Sequence, residues 1–310
     1  MLVAGCAHPA PVAGAGPTIS PLLHAPAAAA AATTATSAPP STTRTTTTTL
    51  APAPSPSPST VVAGGWQPLG QSSLLDALVT PTGEVIRIDP TRLEVAVVPG
   101  TSQPGGTFPE GARVPVDRRA ALVLATNAGF KRADARGGEL VDGQTVGGLV
   151  PGAASLVIRG NGSLDVGAWG TSVSPSPDVT AVLQNLTLLV DHGQPAPDLG
   201  TNIIQRWGVS FRPALPVSVW RSGAGVDAQG RLLYAAAANV VPAQLAQLLI
   251  DAGAVRAMQL DINHLWVFAA LFFHPDPQHP ELLQSRLANA GMGPSPDHVL
   301  APGERDFLAV

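Results

Sequence analysis

The feature that most constrains the fold is a long N-terminal segment with almost no charge. Between residues 7 and 74 the single charged side chain, with His counted as neutral, is Arg44, and Ala, Pro, Thr, Ser and Gly dominate. Such a segment has too few large apolar side chains to offset the entropy of ordering its backbone. We therefore expect residues 1–62 to hold a signal remnant and a disordered Pro/Thr/Ala stalk, and residues 63–310 to form one domain.

The single cysteine, Cys6, excludes an intrachain disulfide. The stretch Val3-Ala4-Gly5-Cys6 is typical of a lipobox, in which the cysteine thiol carries a lipid. Only five residues precede Cys6, too few for a basic region and an apolar region of a signal peptide. Either the true start lies upstream and Cys6 is lipidated, or the match is accidental. With the stalk, the pattern favours export to the cell envelope or beyond, with a lipid anchor to the membrane at Cys6.

Charge and hydropathy exclude several classes of partner. The formal net charge is −4 and no basic run is present, so we expect no nucleic-acid partner. No stretch reaches the roughly 18 consecutive apolar residues of a membrane-spanning helix.

Short apolar runs separated by turn residues predict strands over residues 93–98, 121–126, 155–159, 164–169, 231–238 and 255–262. Asn161-Gly162 predicts a type I′ hairpin turn. Helices are predicted over 242–252 and 280–290, because each begins with proline and is followed by glycine. The expected fold class is α+β, with a strand-rich mixed sheet core and a few helices.

One ordered set of short motifs resembles a known family. The set includes Thr126-Asn127-Ala128-Gly129-Phe130, Gln184-Asn185-Leu186, Arg221-Ser222-Gly223-Ala224-Gly225, Gly253-Ala254, Leu260-Asp261 and Arg305-Asp306-Phe307. Together these motifs resemble the phosphodiester glycosidase family, the domain of the N-acetylglucosamine-1-phosphodiester alpha-N-acetylglucosaminidase and exopolysaccharide type, in its actinobacterial branch. The resemblance implies an exported hydrolase that cleaves a sugar-1-phosphodiester, or a related glycosidic bond, in cell-envelope or exopolysaccharide material.

The resemblance also implies site residues. Arg221 and Asp261 are the expected catalytic residues, and the expected substrate-binding residues are Asn127, Gly129, Asn263 and His264. A guanidinium suits an anionic phosphodiester because it donates two hydrogen bonds and keeps its charge. When a glycosidic bond is cleaved, a carboxylate can stabilise the positively charged sugar carbon, attack that carbon, or activate a water molecule. From the residues alone, Arg221 and Asp261 are also compatible with a structural ion pair, and Asn127 with a bond to its own backbone.

No cofactor and no metal are expected. His274, Asp276 and His279 lie within six positions, but prolines separate them and their spacing matches no zinc motif. Asp261 is followed by Ile262-Asn263-His264-Leu265-Trp266, where the family has a Gly- and Ser-rich turn. This difference leaves two alternatives open, a non-catalytic glycan-binding envelope lipoprotein on the same fold and a structural lipoprotein without a ligand. An open cleft at Asp261 would favour the enzyme, and a cleft filled by Leu265 and Trp266 would favour binding.

Overall fold

The computed structural model describes residues 65–70, 73–108, 112–200, 206–208, 218–280 and 282–310. The expected stalk and Cys6 lie outside the described residues. The domain boundary at residues 62–63 does so too, and all three stay predictions.

Eighteen strands carry most of the regular structure of the described residues. In chain order they are β1 Gln67–Pro68, β2 Leu75–Val79, β3 Glu84–Ile88, β4 Ala96–Val98, β5 Leu124–Asn127, β6 Glu139–Val141, β7 Gln144–Val146, β8 Ala154–Arg159, β9 Leu164–Ala168, β10 Val179–Gln184, β11 Leu188–Asp191, β12 Gln194–Pro195, β13 Val219–Asp227, β14 Leu232–Val240, β15 Ala254–Gln259, β16 Ala269–Phe273, β17 Gln284–Leu287 and β18 Phe307–Ala309. The helices are α1 Arg132–Ala135, α2 Pro242–Asp251 and the 3₁₀ helices Val116–Ala121 and Pro296–Leu300.

The strands form three sheets. The largest has the order β1-β2-β3-β14-β13-β15-β11-β12, and two five-stranded sheets have the orders β7-β6-β10-β8-β9 and β17-β16-β5-β18-β4. The strand-rich α+β class is therefore confirmed. Within the described residues the pairings between these strands are antiparallel, and parallel pairing is limited to one isolated bridge between Trp169 and Val173.

Helix α2 covers one face of the eight-stranded sheet. Its apolar side chains Leu245, Leu248 and Leu249 are buried at helical spacing against that sheet. Gly223 of β13 allows the close approach, because a Cβ there would lie 3.1 Å from Leu249 and 2.9 Å from a backbone oxygen. The other face of the sheet packs into a larger core shared with the two smaller sheets.

The sequence predictions succeed where a segment has its own local signal. Helix 242–252 is confirmed as α2, and strands are present in all six predicted runs. Helix 280–290 is wrong, because residues 284–287 form β17 and pair with β16. The hairpin at Asn161-Gly162 is present, but Gly162 alone has a positive φ there, so the turn is not type I′.

Among the described residues, no helix has the length and apolar character needed to cross a membrane.

Candidate functional site

The candidate site lies where β15 ends beside the first residues of β13. Asp261 follows β15, and its backbone oxygen accepts a hydrogen bond from the backbone N–H of Ser222 at 2.9 Å. The hydroxyl of Ser222 accepts one from the backbone N–H of Asp261 at 3.1 Å. Because Ser222 is in the middle of the largest sheet, these bonds fix the backbone of Asp261 to a rigid element.

The carboxylate of Asp261 has three hydrogen-bond donors. Its Oδ1 accepts from the backbone N–H groups of Ile262 at 2.7 Å and Asn263 at 2.8 Å, and its Oδ2 accepts from Arg305 at 2.7 Å. Burial raises the pKa of Asp261 above its ordinary value, while Arg305 and the two amides oppose that shift. A buried carboxylate held between a cation and backbone amides is a common arrangement in active sites.

Arg305 is the charged partner of Asp261, and sequence reasoning did not assign it to the site. Its Nη2 also donates to the backbone oxygen of Gly129 at 2.8 Å, and its guanidinium lies 4.8 Å from the ring centre of Trp266. The side chains of Arg305 and Asp261 are 12% and 3% exposed. The motif Arg305-Asp306-Phe307 was visible in the sequence, but its distance along the chain from Asp261 concealed the contact.

Arg221 lies in the interior and binds neutral groups. It is 1% exposed, and it donates to the backbone oxygens of Val240 at 3.0 Å and Trp207 at 3.1 Å and to Gln259 Oε1 at 2.7 Å. Burial lowers the pKa of Arg221 to about 10, which still leaves it charged at neutral pH. The structure thus separates Arg221 from the ion pair of Asp261.

Asn127, an expected substrate-binding residue, is also inside the protein. Its Nδ2 donates to Ala128 O at 2.8 Å and to Ser222 Oγ at 2.9 Å. Its Oδ1 accepts from the hydroxyl of Tyr234 at 2.6 Å and from the backbone N–H of Phe268 at 3.2 Å. With these four bonds, Asn127 connects β5 to the main sheet and presents no polar atom to a cleft in this structure.

Gly129 lies in the turn that follows β5 and contacts the site through its backbone. Besides accepting from Arg305, it packs against Asn185, whose Oδ1 accepts from Phe130 N at 3.3 Å. Asn185 Nδ2 donates to the backbone oxygens of Gln259 at 2.6 Å and Leu260 at 2.8 Å. Asn185, another residue that sequence reasoning did not select, therefore joins the Gly129 turn to the end of β15.

Asn263 and His264 are exposed on the turn after Asp261. Asn263 Oδ1 accepts from the backbone N–H of Leu265 at 3.0 Å, which stabilises the turn. Leu265 is 63% exposed and so does not fill a cleft. Trp266 instead turns inward and packs edge-on against Phe268 and His298. The proposed sugar contacts of Asn263 and His264 stay predictions.

Two further carboxyl groups, those of Asp306 and Glu139, are buried and interact with each other. Asp306 follows Arg305 in the chain, and Glu139 is the first residue of β6. Burial and the charge of Asp306 raise the pKa of Glu139 to about 9, and burial raises the pKa of Asp306 to about 6. Neither residue was selected from the sequence, since an isolated Glu in a short strand carries no motif.

The described residues contain no group of three or more His, Cys, Asp or Glu side chains placed to hold a metal ion. The ring of His274, considered above as a metal ligand, has its nitrogens 2.7 Å from Pro280 O and 3.1 Å from Leu122 O.

Comparison with known proteins gives a weak likeness at the level of the fold. No protein-family model matches the sequence, and no curated protein matches it significantly. The chain is similar to the zebrafish N-acetylglucosamine-1-phosphodiester alpha-N-acetylglucosaminidase catalytic domain auto-inhibited by its pro-peptide, at 18% identity and a TM-score of 0.47, over 80% of this chain and 87% of that chain.

Two other solved structures are similar at still lower identity. One is a hypothetical protein from Synechocystis, with 15% identity, a TM-score of 0.38 and coverage of 76% of this chain and 61% of that chain. The other, from Burkholderia pseudomallei, is named as an exported protein, with 12% identity, a TM-score of 0.40 and coverage of 78% and 75%.

Proposed function

We propose that this chain is an exported hydrolase that cleaves a sugar-1-phosphodiester, or a related glycosidic bond, in cell-envelope or exopolysaccharide material. The observation that carries the proposal is the carboxylate of Asp261, held by Arg305 and two backbone amides at the end of a central strand. A carboxylate fixed in this way suits a centre that becomes positively charged as a glycosidic bond breaks.

Arg305 takes the phosphate-binding role that the sequence assigned to Arg221. Its guanidinium is partly exposed, and its Nε is buried without a hydrogen-bond partner among the described residues. The cation–π contact with Trp266 helps to fix the guanidinium, and an anionic oxygen would approach the exposed part of the side chain. Arg221 instead supports the site from inside, because it binds Gln259 of the strand that ends beside Asp261.

Substitution of Asp261 tests this proposal. The full chain and Asp261→Asn are incubated with a panel of sugar-1-phosphodiesters, and free sugar and phosphomonoester are measured. We expect Asp261→Asn to lower kcat per folded molecule at least ~100-fold, since it removes a catalytic carboxylate, and also to lower the urea midpoint, because Arg305 loses its charged partner. Asp251→Asn, an exposed carboxylate on α2, is the matched control and should keep full activity.

A second candidate function is a non-catalytic glycan-binding protein of the envelope. The burial of Asp261 favours it, because the carboxylate is only 3% exposed and is already paired with Arg305. In this case the wild type would release no product from any substrate of the panel, while glycan binding would still be measurable by calorimetry. Turnover that survives Asp261→Asn would contradict the site assignment.

We also propose that Cys6 carries a lipid that holds the exported protein at the membrane. The lipobox-like stretch before Cys6 and the stalk composition support this proposal. Expression in the native host should place the wild type in the membrane fraction and Cys6→Ser in the soluble or secreted fraction. Equal membrane association of both would exclude lipidation at Cys6.

A further inference from the structure

The indole of Trp266 carries a hydrogen-bond donor that finds no acceptor in the described part of the chain. Its Nε1–H is buried there without a partner. An indole nitrogen can only donate a hydrogen bond, so it needs an acceptor. Buried polar groups nearly always have a partner, and an exception calls for a ligand, a water molecule or a structural reason.

A second donor without an acceptor lies against the same ring. The Nε of Arg305 is buried and has no partner among the described residues, although its Nη2 donates to Asp261 and Gly129. The guanidinium carbon lies 4.8 Å from the centre of the Trp266 ring. A phosphate that accepts with two of its oxygens joins donors up to roughly 8 Å apart, because each hydrogen bond spans about 2.9 Å. The Nε of Arg305 and the Nε1 of Trp266 are within that reach.

The neighbouring ring of His298 does not supply the missing acceptor. Its centre lies 5.6 Å from that of Trp266, edge-on. Its Nδ1 lies 2.7 Å from Ser295 O, and burial lowers the pKa of His298, so the neutral ring carries its proton on Nδ1. The Nε2 of His298 is then an acceptor, also without a partner among the described residues. A buried water that joins Trp266 to His298 is therefore the competing account.

The two donors lie close to the protein surface. The side chain of Arg305 is 12% exposed, and Trp266 is half-buried. His264 and Leu265, which precede Trp266 in the chain, are exposed. An anion that approaches the exposed part of Arg305 therefore reaches both nitrogens by a small rotation of two side chains, without opening of the core.

Charge alone does not select an anion at this place. Arg305 is paired with Asp261, so its positive charge is largely neutralised. Directed N–H groups still distinguish a phosphate from a neutral sugar, because a phosphate offers several strong acceptor oxygens. A neutral indole donor therefore strengthens phosphate binding where the arginine charge is already shared.

We propose that Trp266 is a second phosphate-binding residue, and that its indole Nε1–H donates together with Arg305 Nε to the oxygens of one phosphate group. This inference rests on the proposed function and deepens it, because it names a residue that favours a phosphodiester over a neutral glycoside. The segment after Asp261, which differs from the turn of the resembled family, then provides a ligand contact of its own.

The indole N–H resonances test the inference directly. The full chain, labelled with ¹⁵N at its five tryptophans, is titrated with inorganic phosphate against chloride at constant ionic strength, and Trp266→Phe and Trp207→Phe identify the two signals. We expect the Trp266 signal to move downfield and to saturate, while the Trp207 signal stays in place. Trp207 is the matched internal control, because its Nε1 is likewise buried and unpartnered among the described residues but the residue is 0% exposed.

Two variants separate the donors from the charge. Trp266→Phe keeps an aromatic ring beside Arg305 but has no N–H, and Arg305→Lys keeps the positive charge beside Asp261 but has no Nε–H. We expect each variant to bind phosphate about 10-fold more weakly in a calorimetric titration, which is the loss typical of one hydrogen bond to a charged group. Phosphate affinity that is unchanged in both variants would overturn the inference.

The remaining outcomes distinguish this inference from the proposed function. A Trp266 signal that does not move, or that moves equally with chloride, would overturn the inference and leave the indole nitrogen to a buried water. Turnover of a sugar-1-phosphodiester without a phosphate-dependent shift would also overturn the inference, but the proposed function would stand. A saturable shift without turnover of any phosphodiester would support the phosphate site and contradict the hydrolase.

Discussion

Two arginines close to the candidate site have different kinds of hydrogen-bond partner. Arg221 donates to the neutral oxygens of Val240, Trp207 and Gln259 in the interior. Arg305 donates to the carboxylate of Asp261 and stacks on Trp266 near the surface. Sequence motifs favoured Arg221 as the functional group, whereas the geometry places Arg305 at the carboxylate. In this structure Arg305 contacts the carboxylate of Asp261 and Arg221 does not, while the catalytic role expected of Arg221 stays a prediction.

The largest effect should come from Arg221→Met, because it leaves three buried oxygens without a strong donor. We expect the free energy of unfolding to fall by about 3–5 kcal/mol. The loss should be the same at pH 5 and pH 8, since Arg221 stays charged below its pKa of about 10. Urea denaturation at both pH values measures this. A variant as stable as the wild type, but inactive, would reverse the comparison and return Arg221 to the functional site.

Arg305→Met should have a smaller effect that depends on pH. At neutral pH it leaves Asp261 ionised without its cation, and we expect a loss of about 2 kcal/mol. Arg305 lowers the pKa of Asp261, so its stabilisation is present above that pKa and is lost as the pH falls. The penalty should therefore shrink when urea denaturation is repeated near pH 4.5.

The control for this pH dependence is Arg87→Met. Arg87 pairs with Asp76 at 2.6 Å, but that carboxylate is 36% exposed, so we expect a loss below about 1 kcal/mol at either pH. An Arg305→Met penalty that stays constant between the two pH values would mean that the Asp261 charge is not the reason for its instability.

Glu139→Gln should raise the free energy of unfolding at high pH, whereas most substitutions in a protein core lower it. The pKa of Glu139 is raised from 4.5 to about 9, so the folded state binds more protons than the unfolded state between these values. Wild-type stability then falls as the pH rises through that window. Because Gln does not ionise, the variant should match the wild type near pH 4, below both pKa values, and should exceed it increasingly as the pH rises toward 9. Thermal melts across the range measure the difference, and parallel curves would exclude a buried titrating Glu139.

The sequence predicted the elements that have a local signal. Helix α2 follows from Pro242, the leucine spacing and Gly253. Residues 284–287 have a similar proline and glycine context but form β17, because pairing with β16 overrides local propensity.

The contacts of the candidate site were predictable only in part, because they join distant parts of the chain. Asp261 was found from its strand and motif, yet its partner Arg305 is 44 positions away, and Asn185 reaches β15 across 74 positions. The burial of Asn127 could not be predicted from the sequence either. Its partner Tyr234 lies 107 positions away on β14, and nothing in the Asn127 turn indicates that contact.

The smallest effect should come from Leu265→Ser, which tests whether Leu265 covers the ion pair between Arg305 and Asp261. Leu265 is 63% exposed, so we expect the free energy of unfolding to change by less than about 0.5 kcal/mol, and the pH dependence of Arg305→Met to persist in the double variant. Trp266→Leu is the matched comparison, because the Trp266 ring makes a cation–π contact with Arg305. We expect this substitution to lower the free energy of unfolding by about 1 kcal/mol. If Leu265→Ser were instead the more destabilising of the two, Leu265 would be packed over Asp261. The exposed turn would then have to close onto the carboxylate in solution.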